Sequence, residues 1–242
     1  MKHDSEEIVS LIESLDHPDK AVVRPAVDLL ITLGSRRPEI QETLSRYLQD
    51  PCRKKRWPIA YTLAQFSFPS SLCLDLLIEG LGNEDLDIRW ATVHLLTRLG
   101  KSDQRITPLL LDLLKIGTAT QRRLAVYCLR DLGIGEETRL DGVLQALRDP
   151  DPLVRVAAVT SLKTRPEVGK VGLDLIFHLF LEDPDSRVQH VAAITLAKIG
   201  GPTDEIRTAL RDAGRGRDPR LRKAAAAALE LLQKKGPVPP AK

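Results

Sequence analysis

A chain of 242 residues with 36 Lys and Arg against 33 Asp and Glu carries a net charge of only +3. That balance does not require a nucleic-acid partner, although it is compatible with one. The hydrophobic fraction of 43% is ordinary for a folded chain, and no run of about 18 apolar residues is present, so we expect no membrane segment.

One leucine recurs along the chain at intervals of 33, 33, 33, 33, 34 and 33 residues. The seven positions are Leu30, Leu63, Leu96, Leu129, Leu162, Leu196 and Leu229. Such a period is typical of stacked supersecondary units, because each unit repeats the same core position. We therefore predict a single array of seven repeats over residues 1–235, followed by a disordered Pro-rich tail over residues 236–242.

Each recurring leucine is predicted to lie on a helix, here called helix B. Apolar or small residues stand eight and four residues before it and three after it, as Val188, Ala192 and Ile199 do in the sixth repeat. Those spacings place the side chains on one helical face. A second apolar segment upstream, such as residues 140–147, predicts a helix A, so every repeat is expected to be a helix-turn-helix unit.

Turn residues mark both ends of helix B. Three segments before it are predicted to supply capping carboxylates and prolines of the first turn: Asp149-Pro150-Asp151-Pro152, Asp183-Pro184-Asp185-Ser186 and Asp218-Pro219. Glycines follow the leucine by four residues at Gly34, Gly100, Gly133 and Gly200. We expect them to form left-handed C-caps. Pro25 and Pro58 fall inside helix B, so they should kink it or delay its start and make repeats 1 and 2 the least regular.

The pattern Asp-Pro-x-x-x-Val-Arg-x-x-Ala-x-x-x-Leu, ending in Gly, resembles the HEAT-like repeat, including the variety found in phycobilin lyases. The fifth repeat carries it in Asp149, Pro150, Val154, Arg155, Ala158 and Leu162. Repeats 1, 2 and 4 depart from it at Val23, Lys55 and Ile116. The resemblance covers nearly the whole chain. It implies an all-α fold, a right-handed α-solenoid superhelix of about seven HEAT-like helix-turn-helix repeats whose B helices line the concave surface.

An arginine recurs seven residues before the leucine. Its positions are Arg56, Arg89, Arg122, Arg155 and Arg222, with Gln189 in the sixth repeat. One interpretation is a ladder of basic residues for an anion. The interpretation we favour is structural. An aspartate or asparagine stands six residues before the arginine in several repeats. The family resemblance implies that the guanidinium binds this turn carboxylate and free backbone groups at the start of the helix.

When the repeats are aligned on the leucine, the positions six and two residues before it form two further columns. Because they are four residues apart, both lie on one stripe of the surface of helix B. The first reads Arg24, Trp57, Trp90, Arg123, Val156, His190 and Lys223, and the second reads Asp28, Tyr61, His94, Tyr127, Thr160, Ile194 and Ala227. Both tryptophans of the chain and two of its three tyrosines stand there. The resemblance implies that this stripe faces the groove, so repeats 2 to 4 are predicted to carry one contiguous aromatic and basic patch.

Trp, Tyr and Arg are the residues enriched among binding hot spots, so we predict that this patch binds a partner. The alternative is that the tryptophans only cover the seam between repeats. The candidate partner-binding residues are Arg24, Trp57, Tyr61, Trp90, His94, Arg98, Arg123, Tyr127 and Arg130. Basic clusters at residues 53–56 and in residues 203–242 either contact phosphates or form solvated faces.

Signals for catalysis, a metal or a cofactor are weak. The histidines are scattered, residues 100–102 lack the first glycine of a phosphate loop, and the three cysteines show no CxxC spacing. An odd cysteine count and an N-terminus without a signal-peptide pattern predict a cytoplasmic protein. We expect no metal and no cofactor.

The leading hypothesis is a non-enzymatic scaffold or adaptor that binds a protein or peptide in the concave groove. Nucleic-acid binding through the same groove is the alternative, either simple or as an enzyme resembling the HEAT-like DNA glycosylases, for which Asp28 and Asp131 are the only nearby acids. A third hypothesis is a protein related to chromophore lyases.

Overall fold

The structure is a computed structural model that describes residues 2–50, 56–66, 69–133, 135, 137–163, 168–199 and 203–234. These residues form fourteen α-helices, which alternate as helices A and B of seven consecutive pairs. The A helices are α1 (Lys2–Ser14), α3 (Pro38–Gln49), α5 (Ser71–Gly80), α7 (Ile106–Ile116), α9 (Glu137–Ala146), α11 (Gly169–Glu182) and α13 (Asp204–Gly214). The B helices are α2 (Lys20–Gly34), α4 (Trp57–Leu63), α6 (Leu86–Leu99), α8 (Ala119–Leu132), α10 (Pro152–Leu162), α12 (Ser186–Ile199) and α14 (Pro219–Lys234).

The helices cluster into two compact units, residues 1–106 (unit 1) and residues 107–242 (unit 2). The two units differ in charge. Unit 1 has 14 Lys and Arg against 16 Asp and Glu, whereas unit 2 has 22 against 17. The excess positive charge of the chain therefore resides in unit 2. The prediction of a single array over residues 1–235 stays a prediction, and residues 236–242 lie outside the described part of the chain.

The predicted core positions are buried along both units. Five of the recurring leucines are fully buried, and Leu63 and Leu229 are half-buried. The position four residues before the leucine is buried in all seven repeats, at Ala26, Ile59, Thr92, Ala125, Ala158, Ala192 and Ala225. Small side chains in the middle of the face let neighbouring helices approach closely, which is why this column is mostly alanine.

The helix starts follow the predicted capping chemistry. Asp151 is the N-cap of α10, its carboxylate accepts from the amides of Leu153 and Val154, and Pro152 occupies the first turn. Thr118 caps α8 in a complete capping box with Gln121. These contacts satisfy backbone amides that have no partner inside the helix.

The predicted left-handed glycine caps are wrong at two of the three glycines that the structure describes, and Gly200 lies outside the described residues. Gly100 has φ −66°, and Gly34 is the buried last residue of α2. A Cβ atom at Gly34 would lie 2.5 Å from the ring of Phe66, so close packing explains this glycine. Of these three glycines, Gly133 alone has a positive φ, at 97°. Turn glycines therefore serve different purposes in different repeats.

The two prolines of helix B behave differently. Pro58 is the second residue of α4, which spans only seven residues, in agreement with the predicted late start. Pro25 lies inside α2, which continues through it from Lys20 to Gly34.

The recurring arginine is confirmed as a structural residue, but its carboxylate partner differs from the predicted one. Arg155 donates through Nη1 to the carbonyls of Asp149 and Pro150, which belong to its own turn. Its Nε and Nη2 atoms donate to the two oxygens of Asp183, at 2.7 and 2.8 Å, which belong to the next repeat. The aspartate six residues earlier thus supplies its carbonyl, and the carboxylate comes from the repeat that follows.

The same arrangement ties the preceding repeat. Arg122 donates to the carbonyl of Gly117 and, at 2.7 and 2.8 Å, to both carboxylate oxygens of Asp149. The carboxylates of Asp149 and Asp183 also accept hydrogen bonds from the backbone amides two residues later, those of Asp151 and Asp185. Hydrogen bonds to these carboxylates raise the pKa of both guanidinium groups. The arginine and the aspartate therefore form a bidentate pair between consecutive repeats of unit 2.

Candidate functional site on the B helices

Trp57 is fixed at the seam of three helices in unit 1. It is the first residue of α4 and half-buried. Its indole N–H donates to the hydroxyl of Thr92, at 3.1 Å, and that hydroxyl donates to the carbonyl of Ile88. A Cβ atom at Gly80, the last residue of α5, would lie 2.5 Å from the indole nitrogen. Trp57 therefore packs α4 against the end of α5 and the middle of α6.

Tyr61 lies one turn further along α4 and stacks on Trp57. The ring centroids are 4.9 Å apart and the rings are inclined by 30°. Both side chains are half-buried. Their contact makes a rigid aromatic surface, since each ring restricts the rotamers of the other.

Trp90 and His94 form a second ring pair, on α6. The centroids are 6.4 Å apart and the planes are inclined by 37°. Trp90 is 40% exposed, and among the described residues it is the one aromatic in the set of exposed large apolar side chains. His94 is exposed as well. We call the four rings of Trp57, Tyr61, Trp90 and His94 the aromatic face of unit 1.

Arg98 lies at the end of α6 and connects it to the end of α4. Its Nη2 donates to the carbonyl of Ala64 at 3.2 Å and to Oε1 of Gln65 at 2.7 Å. The side chain is nevertheless exposed. The guanidinium therefore stands at the edge of the aromatic face while it joins two repeats.

Arg24 belongs to a cluster of charges that the sequence pattern did not reveal. Its Nη2 lies 2.7 Å from Oδ2 of Asp87, and Lys20 forms ion pairs with both Asp85 and Asp87. Hydrogen bonds from Lys20 lower the pKa of Asp85, and the same contacts raise the pKa of Lys20. We call these four residues the charged clasp. It connects the start of α2 to the start of α6, and it neutralises much of the charge that Arg24 was predicted to offer.

The remaining predicted residues, Arg123, Tyr127 and Arg130, lie on α8 in unit 2 and are half-buried. The Arg130 guanidinium stands 5.0 Å from the centroid of the Tyr127 ring, and its Nε donates to Asp131 at 2.7 Å. That hydrogen bond raises the pKa of Arg130. The predicted continuity of these residues with the aromatic face stays a prediction.

The candidate acids of a glycosylase-like enzyme, Asp28 and Asp131, lie on α2 in unit 1 and on α8 in unit 2. Asp131 is engaged by Arg130, and Asp28 is an exposed residue of α2. The Cys73 thiol donates to the carbonyl of Ala60, and burial raises its pKa to about 12, which disfavours the reactive thiolate. Among the described residues, no group of three or more His, Cys, Asp or Glu side chains could hold a metal ion. Within the same residues, no helix is long and apolar enough to span a bilayer.

The predicted basic clusters have different roles. Residues 53–55 lie outside the described part of the chain, and Arg56 donates to the carbonyl of Leu48 as one of the recurring arginines. In the last repeat, Arg217, Arg220 and Lys223 are exposed. Residues 100–102 form the turn after α6.

Comparison with known proteins identifies the repeat. The family model for HEAT repeats matches residues 40–130 and 140–234. The chain belongs to the HEAT-repeat family. No curated protein matches it. The family assignment explains the repeated core, the helix pairs and the recurring arginine together.

Solved structures of repeat proteins share this fold. The E. coli protein YibA is similar with a TM-score of 0.54 and 15% identity over 93% of this chain and 92% of its own. A chain of the Kap95p–RanGDP complex is similar with a TM-score of 0.64 and 15% identity, over 95% of this chain and 33% of its own. The CpcE and CpcF complex of phycocyanin lyase from Nostoc sp. PCC7120 gives 0.43 and 23%, over 79% of this chain and 76% of its own. The TM-scores of YibA and of the Kap95p–RanGDP chain show a common HEAT or armadillo-like fold and no more.

Proposed function

We propose that this HEAT-repeat protein is a non-enzymatic, cytoplasmic scaffold that binds a protein or peptide partner through the exposed faces of its B helices. The observation that carries the proposal is Trp90, which is 40% exposed beside exposed His94 while the neighbouring Trp57 and Tyr61 are fixed by packing. A large, rigid, solvent-exposed aromatic surface is uncommon unless a partner covers it.

The residues of the proposed site divide by their environment. Trp90 and His94 offer accessible contact area, and the stacked pair of Trp57 and Tyr61 supplies a floor that loses little entropy when a partner binds. Arg98 stands at the edge, where a charge-assisted hydrogen bond to a partner carboxylate or carbonyl fits its exposed guanidinium. The proposed partner-binding residues also include Arg24, Arg123, Tyr127 and Arg130.

Nucleic-acid binding is the second candidate, since the exposed Arg217, Arg220 and Lys223 of the last repeat are suited to phosphate contacts. Two observations favour a protein partner. Arg24 is paired with Asp87, and Arg130 is paired with Asp131, so two of the cations beside the aromatic columns already have carboxylate partners. A strand of nucleic acid depends on such cations more than a peptide with apolar anchors does.

The test is affinity capture with Trp90→Ala, and Leu181→Ala on the A helix α11 serves as the control. Both residues are exposed, at 40% and 48%, so neither substitution opens a cavity in the core. Removal of a tryptophan hot spot costs about 2 kcal/mol or more, which is roughly a thirtyfold loss of affinity. We expect Trp90→Ala to lose its partner and Leu181→Ala to keep it.

Capture is quantified by mass spectrometry from nuclease-treated lysate at low and at high salt. Identical recovery by wild type and Trp90→Ala would contradict the proposal. Loss of all binding on nuclease treatment, with a steep dependence on salt, would support the nucleic-acid candidate instead.

A further inference from the structure

Arg222 is the recurring arginine of repeat 7, and it holds its turn in the same way as Arg155 does in repeat 5. Its Nη1 atom donates to the carbonyls of Gly216 and Arg217, at 3.1 and 3.0 Å. The Nη1 atom of Arg155 donates to the carbonyls six and five residues before it, at 2.8 and 3.1 Å. The two guanidinium groups are therefore oriented alike relative to their own turns.

The other side of the guanidinium distinguishes the two repeats. Nε and Nη2 of Arg155 donate to the two carboxylate oxygens of Asp183 in the next repeat. Among the residues that the structure describes, none forms a hydrogen bond or an ion pair with Nε or Nη2 of Arg222. α14 carries one acid, Glu230, which lies about 12 Å further along the helix at a rise of about 1.5 Å per residue. Residues 235–242 contain no Asp or Glu. The guanidinium thus presents an unused bidentate donor for a carboxylate.

The surface beside this guanidinium keeps the residue pattern of an inner repeat. Three residues before the recurring leucine, Val159 and Ala193 are fully buried in repeats 5 and 6. The equivalent residue of repeat 7, Ala226, is exposed, and the leucine itself, Leu229, is half-buried. Arg222, Ala226 and Leu229 are spaced by four and three residues, so they lie on one face of α14. We call these three residues the end face of repeat 7.

Cations cluster at the turn before α14. The segment from residue 211 to residue 223 contains six cations against two acids, and the six are Arg211, Arg215, Arg217, Arg220, Arg222 and Lys223. All six are exposed, and none forms an ion pair within the described residues. Such a cluster attracts an acidic surface before contact is made. The end face therefore combines a general attraction for negative charge with one specific donor pair for a carboxylate.

We propose that the end face of repeat 7 docks an aspartate-bearing turn of a partner protein, whose carboxylate binds Nε and Nη2 of Arg222 as Asp183 binds Arg155. This surface goes beyond the proposed function, because it is a second interaction surface, in unit 2, with its own chemistry. It favours a protein over nucleic acid, since Ala226 and Leu229 suit the packing of a helix and the end face has no aromatic ring on which bases stack.

The first repeat of a second copy does not offer that carboxylate. At the position of Asp183, thirteen residues before the recurring leucine, repeat 1 has the exposed His17. The Nδ1 atom of His17 accepts from the amide of Asp19, so the other ring nitrogen carries the hydrogen and is a donor. A guanidinium also only donates, so the two groups cannot form a hydrogen bond. The occupant is therefore a different protein that carries an aspartate at this position of its turn.

This difference supplies a probe. His17→Asp places a carboxylate in repeat 1 at the position that Asp183 has in repeat 6. Val22 and Leu29 of repeat 1 are 38% and 42% exposed, whereas the equivalent positions of repeat 6 are buried, so the same surface also offers apolar contact. The probe is the full chain with His17→Asp and Arg222→Gln, which cannot associate with itself through the proposed pair.

Sedimentation velocity measures the association of this probe with the wild-type chain. We expect a one-to-one complex whose dissociation constant rises about tenfold or more when Arg222→Gln or Arg222→Lys replaces wild type, since lysine keeps the charge but loses the bidentate geometry. Arg220→Gln is the matched control, because its exposed guanidinium forms no hydrogen bond or ion pair within the described residues. It should change the dissociation constant less than about twofold. Wild type mixed with Arg222→Gln gives the baseline without the added carboxylate.

Absence of a complex above this baseline would overturn the inference, as would equal affinity of the probe for wild type and Arg222→Lys or an equal loss in Arg220→Gln. Binding of a twelve-nucleotide oligothymidylate that depends on Arg222, without a complex of the probe, would assign the end face to nucleic acid and overturn it as well. The result is separate from that of Trp90→Ala, which tests the aromatic face of unit 1.

Discussion

The two units connect the same repeat by different chemistry. In unit 2, Arg122 and Arg155 each bind a carboxylate of the next repeat, and the Asp149 and Asp183 side chains are 7% and 1% exposed. In unit 1, Arg89 donates only to the carbonyls of Asn83 and Glu84. There the connections between repeats are instead an indole hydrogen bond, the Arg98 contacts and the charged clasp.

This difference between the two units shows that a recurring residue type does not guarantee a recurring contact. The arginine binds carbonyls of the turn before helix B at Arg89, Arg122, Arg155 and Arg222, and at Arg56 it binds the carbonyl of Leu48 near the end of α3. Its ion pair depends on what the neighbouring repeat offers. Twenty-seven residues after Arg122 stands Asp149, whereas the same interval after Arg56 leads to Asn83. An amide cannot balance a guanidinium charge. Unit 1 replaces that buried pair by aromatic packing and surface charges.

The largest expected effect is in unit 2. Arg155→Met should lower the free energy of unfolding by about 3–5 kcal/mol, because it leaves the buried carboxylate of Asp183 without its partner. The equivalent change in unit 1, Arg89→Met, should cost only about 1 kcal/mol, since it removes hydrogen bonds to two carbonyls. Urea unfolding followed by far-UV circular dichroism measures both.

The double variant Arg155→Met with Asp183→Asn is the control for this comparison. The asparagine removes the stranded charge and keeps an oxygen that can accept from the amide of Asp185. It should therefore recover part of the stability that Arg155→Met loses. Equal losses for Arg155→Met and Arg89→Met would show that the ion pair does not distinguish the two units.

A smaller effect is expected for Gly80→Ala in unit 1. The added Cβ atom meets the indole nitrogen of Trp57 at 2.5 Å and the Thr92 hydroxyl at 3.0 Å, so the rigid ring must move. Overpacking of this kind costs about 1–3 kcal/mol. Gly214→Ala is the control, because a Cβ atom there meets nothing within 4 Å. Urea unfolding, with tryptophan emission as a local reporter, should separate the two variants, and equal stabilities would argue against the close packing of Trp57.

The smallest expected effect is that of the charged clasp. The pKa of Asp85 is lowered in the folded chain, so its contribution to stability is complete above its ordinary value of 3.8 and is lost as the pH falls through the lowered value. The pKa of Lys20 is raised, so its contribution is complete below 10.5 and is lost as the pH rises through the raised value. Both groups are therefore fully paired between these limits.

The variant Asp87→Asn tests the clasp, because it removes the carboxylate shared by Lys20 and Arg24. The melting temperature of wild type should exceed that of the variant slightly at neutral pH and low salt, and the gap should close in high salt, since exposed ion pairs are screened. A gap that persists in high salt would indicate a role other than electrostatic pairing.

The leucine period was sufficient to predict seven helix pairs and the small-residue column, and the Asp and Pro residues before helix B predicted where several B helices start. It could not predict the partner of each arginine. In an alignment of the repeats each row holds one repeat, whereas the carboxylate that binds the arginine belongs to the next repeat. Glycine caps were mispredicted for a related reason. At Gly34 the decisive contact is Phe66, which belongs to another repeat.

The candidate site shows the same limit. Trp57 and Trp90 occupy one column of the alignment, yet Trp57 is half-buried and Trp90 is 40% exposed. The indole of Trp57 packs against Gly80 and donates to the Thr92 hydroxyl, contacts with other helices that one column of an alignment does not show. The clasp escaped prediction altogether, since Lys20 and Asp87 are separated by 67 residues and belong to repeats 1 and 3.

The pairing of each arginine with the following repeat bears on how such a chain can change in length. Excision of residues 150–183 would remove Arg155 and Asp183 together and leave Arg122 with Asp149, now followed by the neutral Gln189. A cut that removed Asp183 and kept Arg155 would instead leave that guanidinium without its carboxylate. Loss of one whole repeat is therefore an inexpensive evolutionary step in unit 2, because the remaining ion pair stays complete.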